Sequence, residues 1–295
     1  MKYIGRFAPS PTGQLHFGSL LAAVCSYIDA KHRHGYWHLR IDDLDKPREV
    51  TGSAEAMIAS LQAHGMQWDG PIVYQSLRTE HYRKALHQLE IQQCCYRCYC
   101  SRSRLGSAPY DGHCRHRHNS HASTANYAIR IKCPSSPIRF NDKWQGPTEE
   151  NITECHGDFV IWRKDNICAY QLAVVIDDHA IGANHIIRGN DLIDSTARQL
   201  HLYNSLKFPA PSYGHFPVLM NGAHQKLSKQ SHAPAIENNC ASTNLRRILE
   251  CLGQRSAPMT LTSPADILSF ATKHWQASAV PSSNIIWPST PNISS

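Results

Sequence analysis

Three groups of residues have the types and spacing to do chemistry. The first is Arg6-Phe7-Ala8-Pro9-Ser10-Pro11-Thr12-Gly13-Gln14-Leu15-His16-Phe17-Gly18-Ser19. Two prolines fix this loop, and Gly13 and Gly18 let it turn or approach a ligand where a Cβ would collide. Gly18 and Ser19 are expected to open a helix, so that free N–H groups and the positive end of the helix dipole face an anion. With His16 as a further donor, such a loop can hold a polyphosphate, although a plain Pro-rich loop with one histidine would read the same way. The second group is Gln225-Lys226-Leu227-Ser228-Lys229-Gln230. Two lysines on a loop can neutralise charge that builds on a phosphate, a point-charge role that suits lysine. The third is Cys98-Tyr99-Cys100 followed by Tyr110-Asp111-Gly112-His113-Cys114. It offers three thiolates with nitrogen and oxygen donors nearby, and Zn²⁺ commonly takes four such ligands in structural sites. On donor chemistry alone the fourth is His113 or His116, and a reduced cluster without metal is the alternative.

A fourth group is dispersed. Arg40-Ile41-Asp42-Asp43-Leu44-Asp45 ends an expected strand, on the side of a parallel sheet where open α/β folds bind ligands, and a carboxylate there can hold an ammonium group. Arg6 and Arg188 together would form a planar, permanently charged clamp, which suits a substrate with a second carboxylate and disfavours its amide.

The elements that must position these residues follow from periodicity. Tyr3 to Phe7 reads as a strand. Gly18 to His34 carries Leu20, Leu21, Val24, Tyr27 and Ile28 at helical spacing, with Gly35 where a left-handed cap is expected. Trp37, Leu39 and Ile41 alternate like a strand, and helices follow from about Ser53, before Gly65, and over Arg78 to Gln93. That rhythm predicts a parallel α/β sheet. It breaks at a Cys/His/Arg-rich insertion with short strands at Ala128 to Lys132 and Phe159 to Arg163. Tyr170 to Ile176, nearly continuous in apolar residues, suits a buried parallel strand. Beyond it come Ala183 to Ile187, a helix from about Asp194 to Leu206 and a strand near Tyr213 to Leu219. Leu245 to Leu252 and Ala265 to Thr272 read as short helices, the second opened by the capping box Ser263-Pro264-Ala265-Asp266. Residues from about Ser278, rich in Ser, Pro and Asn, are expected to fray.

At 295 residues the chain has room for roughly two domains with a full core. Leu20 to Cys25 is far short of a membrane span, and Met1 to Phe7 lacks the layout of a signal peptide. Eleven cysteines, crowded between Cys94 and Cys114 and otherwise single, point to a reducing compartment with a metal site rather than a disulfide framework. A formal charge of +7 with 19 histidines predicts attraction to a polyanion such as RNA.

The string Arg6 to Ser19 resembles the first signature of class I aminoacyl-tRNA synthetases, specifically the glutamyl branch. Lys226 to Gln230, KLSKQ, resembles the second signature, KMSKS. Tyr170 to His179 and His185 to Gly189 are similar to the pocket segments of that branch. The resemblance implies a class I synthetase-type, Rossmann-like parallel sheet, with Mg²⁺ accompanying ATP. It places Arg6, Ala8, Ser10, Asp42, Tyr170 and Arg188 around L-glutamate. Asp42 would take the α-amino group, where the family usually has Glu, and Tyr170 and Arg188 would reach the side-chain carboxylate. His16, Gly18, Ser19, Lys226 and Lys229 would hold ATP, with His16 and Lys229 acting in catalysis.

CxCSR followed by YDGxC is similar to the glutamyl-Q tRNA(Asp) synthetases, which implies one structural zinc on Cys98, Cys100, Tyr110 and Cys114. Ser231 to Ser295 leaves no room for the helical anticodon-binding region of a glutamyl-tRNA synthetase. The expected layout is a first α/β half over 1–94, a zinc-containing insertion over 95–165, a second α/β half with the KLSKQ loop over 166–231, and a short helical segment with a flexible tail over 232–295. That family esterifies glutamate to queuosine in the anticodon of tRNA(Asp), so the expectation is a cytoplasmic, monomeric enzyme. A truncated glutamyl-tRNA synthetase acting on a tRNA 3′ end, or a non-catalytic tRNA-binding paralogue, is the alternative.

Overall fold

The computed structural model describes residues 1–106, 108–116, 126–220 and 235–286. Strand β1 (Ile4–Phe7) is followed by helix α1 (Phe17–His32) and returns as β2 (Tyr36–Ile41), parallel to β1. Leu20, Leu21, Val24 and Ile28, picked out by helical spacing, are fully buried on α1. Gly35 does not take the left-handed cap expected of it, because His34 does, with φ 52°. Gly35 serves close approach instead, since a Cβ there would lie 2.5 Å from the Tyr3 carbonyl oxygen. After α2 (Ser53–Ala63), β3 (Val73–Tyr74) joins the other edge of β2 in parallel, and α3 (Thr79–Ile91) follows.

The next stretch is antiparallel. Strands β4 (Cys95–Cys98), β5 (Ala128–Ile131) and β8 (Val160–Trp162) form one sheet. Between them lie α4 (Arg102–Leu105), the hairpin of β6 (Ile138–Asp142) and β7 (Gly146–Glu150), and α5 (Ile152–Cys155).

The run from Tyr170 is not a strand. It is helix α6 (Tyr170–Ala180), with Gln171 through Asp178 all buried. A helix covered on nearly every side has no polar face to impose a period of 3.6, so its sequence imitates a buried strand. Strand β9 (His185–Gly189), helix α7 (Asp194–Leu206) and strand β10 (Ser212–Phe216) complete the second parallel pair, with Arg188 opposite His215. The two pairs meet where Asn184 N donates to the Ile4 carbonyl at 3.0 Å and Ile4 N donates to Asn184 Oδ1 at 2.8 Å.

Strand β11 (Leu219–Met220) leads to α8 (Ala241–Cys251) and α9 (Pro264–Lys273), both packed on α1 through Leu245, Ile248, Leu249, Ile267 and Leu268. Ser263 caps α9 as expected, accepting from Asp266 N at 3.1 Å. Fraying from Ser278 is not observed as far as 286. Val280 is buried, and β12 (Ile285–Ile286) pairs in parallel with β11, with Ile285 packed against the core while Ile286 stays exposed.

Candidate active site and cysteine cluster

Arg6, Arg40 and Arg188 are each the penultimate residue of a parallel strand, β1, β2 and β9. Their side chains therefore gather at the carboxyl edge of the sheet, where the strands end and the loops leave room. A cavity of about 530 Å³ opens there. Its lining includes Arg6, Ala8, Ser10, Asp42, Tyr170 and Arg188 together with His16, Gly18 and Ser19. All the described residues that sequence reasoning assigned to amino-acid and nucleotide binding thus face one space. Lys226 and Lys229 lie outside the described residues.

The loop from Phe7 to His16 is tied down at several points. Asp42 N donates to the Pro9 carbonyl and Val50 N to that of Pro11, both at 2.9 Å, and Leu15 is fully buried. Gly13 sits at φ 126°, where a side chain would be strained. Helix α1 begins one residue before the expected Gly18. The Ser19 N–H donates to His16 Nδ1 at 3.3 Å, so His16 caps the helix from the cavity wall.

Charge in the cavity is arranged in two ways. Asp178 accepts from Arg6 Nε at 3.1 Å and from Arg40 Nη1 at 2.6 Å, and Arg40 Nε donates to Asp42 Oδ1 at 2.6 Å. Burial alone would raise the Asp178 carboxyl, yet the two guanidiniums hold it below its ordinary range. For Asp42 burial wins over Arg40, and its carboxyl is pushed up to about 6. Arg188, by contrast, donates to His215 Nε2 at 2.9 Å, Gln199 Oε1 at 2.8 Å and Thr196 Oγ1 at 2.9 Å, none of them a carboxylate. Tyr170, at the start of α6, is 45 % exposed at the rim.

A second constellation lies at the end of β4. The Sγ atoms of Cys98, Cys100 and Cys114 are within 4.8 Å of one another, and Tyr110 Oη is 3.6 Å from Cys98 Sγ and 3.9 Å from Cys100 Sγ. Among the described residues no histidine joins this group, so the donor-chemistry choice of His113 or His116 fails. The His113 backbone N–H turns to Asp111 Oδ1 instead, and His116 is exposed. Burial would raise the Cys98 thiol, but its contacts with Tyr110 and the Arg130 Nε–H at 3.3 Å hold it below its ordinary value. A thiol so lowered favours the thiolate, the form that ligates a metal.

Residues 3–244 match the family model described as tRNA synthetases class I (E and Q), catalytic domain. The chain is 44 % identical over 295 residues to a glutamyl-Q tRNA(Asp) synthetase of Salmonella paratyphi A, covering 99 % of this chain and 98 % of that one. It is also 44 % identical over 288 residues to the protein of that name from Escherichia coli K12, covering 97 % and 92 %. The chain belongs to the glutamyl-Q tRNA(Asp) synthetase family. A crystal structure of glutamate-tRNA synthetase from Elizabethkingia anophelis superposes with a TM-score of 0.82 at 25 % identity, over 97 % of this chain and 68 % of that one. The class I α/β fold expected from the sequence is therefore the one observed. No helix among the described residues is long and apolar enough to cross a membrane.

For this member of the glutamyl-Q tRNA(Asp) synthetase family, sequence reasoning missed the residues that brace the site. Arg40, only 1 % exposed, received no role, and neither did Asp178 or the three neutral partners of Arg188. The Asp177-Asp178 doublet was the available signal, since two adjacent acids in an apolar run are costly to bury unless each has a partner. Asp177 has Arg78, Gln75 and Tyr82, and Asp178 has Arg6 and Arg40.

Proposed function

We propose that the chain activates L-glutamate with ATP and esterifies it to queuosine in the anticodon of tRNA(Asp). The observation that carries this is the single cavity whose lining brings together Arg188, a buried cation whose hydrogen-bond partners among the described residues are all neutral, Asp42 and the His16–Ser19 helix start.

In this reading Arg188 takes the side-chain carboxylate of glutamate, Arg6 adds to the positive field, and Asp42 takes the α-ammonium, with Ala8, Ser10 and Tyr170 shaping the space. The α-carboxylate, ionised at neutral pH, needs no general base. Its oxygen attacks the α-phosphorus of ATP, a phosphoanhydride bond breaks and pyrophosphate leaves. A queuosine hydroxyl then attacks the glutamyl carbonyl, AMP departs with the bonding pair, and the hydroxyl proton passes to the departing phosphate. His16, Gly18 and Ser19, with Lys226 and Lys229, are the proposed ATP contacts, and Mg²⁺ accompanies the nucleotide. Catalysis is orientation plus electrostatic stabilisation. Zn²⁺ is the proposed occupant of Cys98, Cys100, Cys114 and Tyr110, where it would be structural. In the same proposal the protein works in the cytoplasm as a monomer.

The test is glutamate-dependent exchange of pyrophosphate into ATP without RNA, followed by charging of tRNA(Asp) with and without queuosine. Exchange, and esterification only of the queuosine-bearing RNA, is the expected result. No exchange at saturating glutamate would leave a binding paralogue. Equal charging of both RNAs would leave a truncated glutamyl-tRNA synthetase.

A further inference from the structure

The tip of the β6–β7 hairpin packs on β10, the strand paired with that of Arg188. Lys143 N donates to the Tyr213 carbonyl at 3.0 Å, and Gln145 Nε2 donates to that of His215 at 2.9 Å. Gly214 makes this approach possible, because a Cβ there would lie 2.9 Å from the Trp144 ring and 2.8 Å from Ile187 Cδ1. Asp142, at the end of β6, is thereby brought against His215, and both side chains are fully buried.

Asp142 uses its two oxygens differently. Oδ1 accepts three backbone N–H groups, from Trp144 and Gln145 at 3.0 Å and from His215 at 3.1 Å. Oδ2 faces His215 Nδ1 at 2.6 Å. An ionised carboxylate can only accept, so Nδ1 carries the proton. Burial lowers the His215 pKa, so the ring is neutral at pH 7 and its Nε2 is a lone pair. That lone pair is what the Arg188 Nε–H meets at 2.9 Å. A guanidinium has five N–H donors. Three are absorbed by His215, Gln199 and Thr196, which leaves one on each terminal nitrogen for a ligand.

We infer that Asp142 and His215 are positioning residues for glutamate selection: Asp142 fixes the tautomer of His215, and His215 holds Arg188 with its two remaining donors turned to the substrate side chain. The inference rests on the glutamate reading of the cavity. Among the described residues no side-chain hydrogen bond of Asp142, His215 or Arg188 runs to His16, Gly18 or Ser19, so the device is expected to act on the amino acid.

Asp142→Asn is a sharp test. The three backbone donors keep the amide oxygen at the Oδ1 place, so the NH₂ group must face Nδ1. His215 is then forced to carry its proton on Nε2, where it opposes the Arg188 Nε–H. The expected result is a KM for glutamate in the exchange reaction higher by roughly tenfold to a hundredfold, the consequence of a buried donor left unpaired. KM for ATP is expected to stay unchanged, and the preference for glutamate over glutamine to fall. An Asp142→Asn protein whose melting temperature drops while its glutamate KM and preference stay unchanged would overturn the inference.

A measurement on the unmodified protein guards against a variant that fails to fold. Nitrogen NMR of the ¹⁵N-histidine protein, with His215 identified through His215→Gln, should show the proton on Nδ1, and a proton on Nε2 would overturn the proposal outright. Absence of wild-type glutamate exchange would remove the function on which the inference rests. Intact wild-type exchange with an unmoved glutamate KM in Asp142→Asn would remove the inference alone.

Discussion

Arg40 and Arg188 hold equivalent places at the ends of two parallel strands and are almost equally buried, at 1 % and 6 % exposure, yet their surroundings are opposite. Arg40 is enclosed by the carboxylates of Asp42 and Asp178. Arg188 is enclosed by an imidazole, an amide and a hydroxyl. A buried ion is costly unless paired, so Arg40 is settled by the fold itself, whereas Arg188 is held in place with its charge still to be neutralised. In the proposed reading the first is scaffold and the second receives the anion. Arg6 belongs with Arg40, because its Nε is already given to Asp178, so the two-arginine clamp suggested by the sequence is unequal.

Substitutions at the two arginines should separate these roles. Arg188→Ala is expected to reduce glutamate-dependent exchange by about thirtyfold or more, from the ~2–5 kcal/mol that loss of one partner of a buried charge contact costs. ATP binding should survive. Unchanged exchange kinetics would take Arg188 out of the pocket.

Arg40→Met should act mainly on folding, because it leaves Asp42 and Asp178 without their shared partner. Urea denaturation is expected to show a loss of about 3–5 kcal/mol. A variant as stable as the parent would erase the distinction between the two arginines.

The cysteine cluster offers a third test of how burial treats charge. Cys98, whose thiol is held low, has Arg130 alongside, and a divalent cation would draw the three sulfurs together. Native mass spectrometry should find one zinc per chain, lost in Cys114→Ser together with several degrees of melting temperature. A metal-free, equally stable parent protein would contradict the assignment.

The smallest effect concerns pH. The Asp42 carboxyl is raised to about 6 by burial, so its protonated form favours the folded state, an increment complete below the ordinary aspartate range and lost as pH rises through about 6. The ammonium of glutamate needs the ionised form. KM for glutamate should therefore climb a few-fold as pH falls below about 6, while KM for ATP, read in the same exchange assay, should not follow it. Parallel changes in both would remove Asp42 from ammonium binding.

Much of this was legible in the residues. The Pro/Gly loop from Arg6, the helical spacing of α1 and the capping box at Ser263 are local patterns, set by backbone freedom and nearby donors, whereas Tyr110 beside the cysteines came only from the family resemblance. Which groups could bind phosphate, carboxylate or metal follows from residue type and short spacing alone. Tertiary structure alone decided that Tyr170 to Ala180 is a helix, because complete burial removes the amphipathic signal, and that His113 and His116 stay out of the cysteine cluster. It also decided which arginine is paired with carboxylates and which with neutral groups. That distinction depends on Asp178 and His215, residues 138 and 27 positions away from Arg40 and Arg188. Pairing over such separations is fixed by the packing of strands and helices, and no short stretch of sequence carries it.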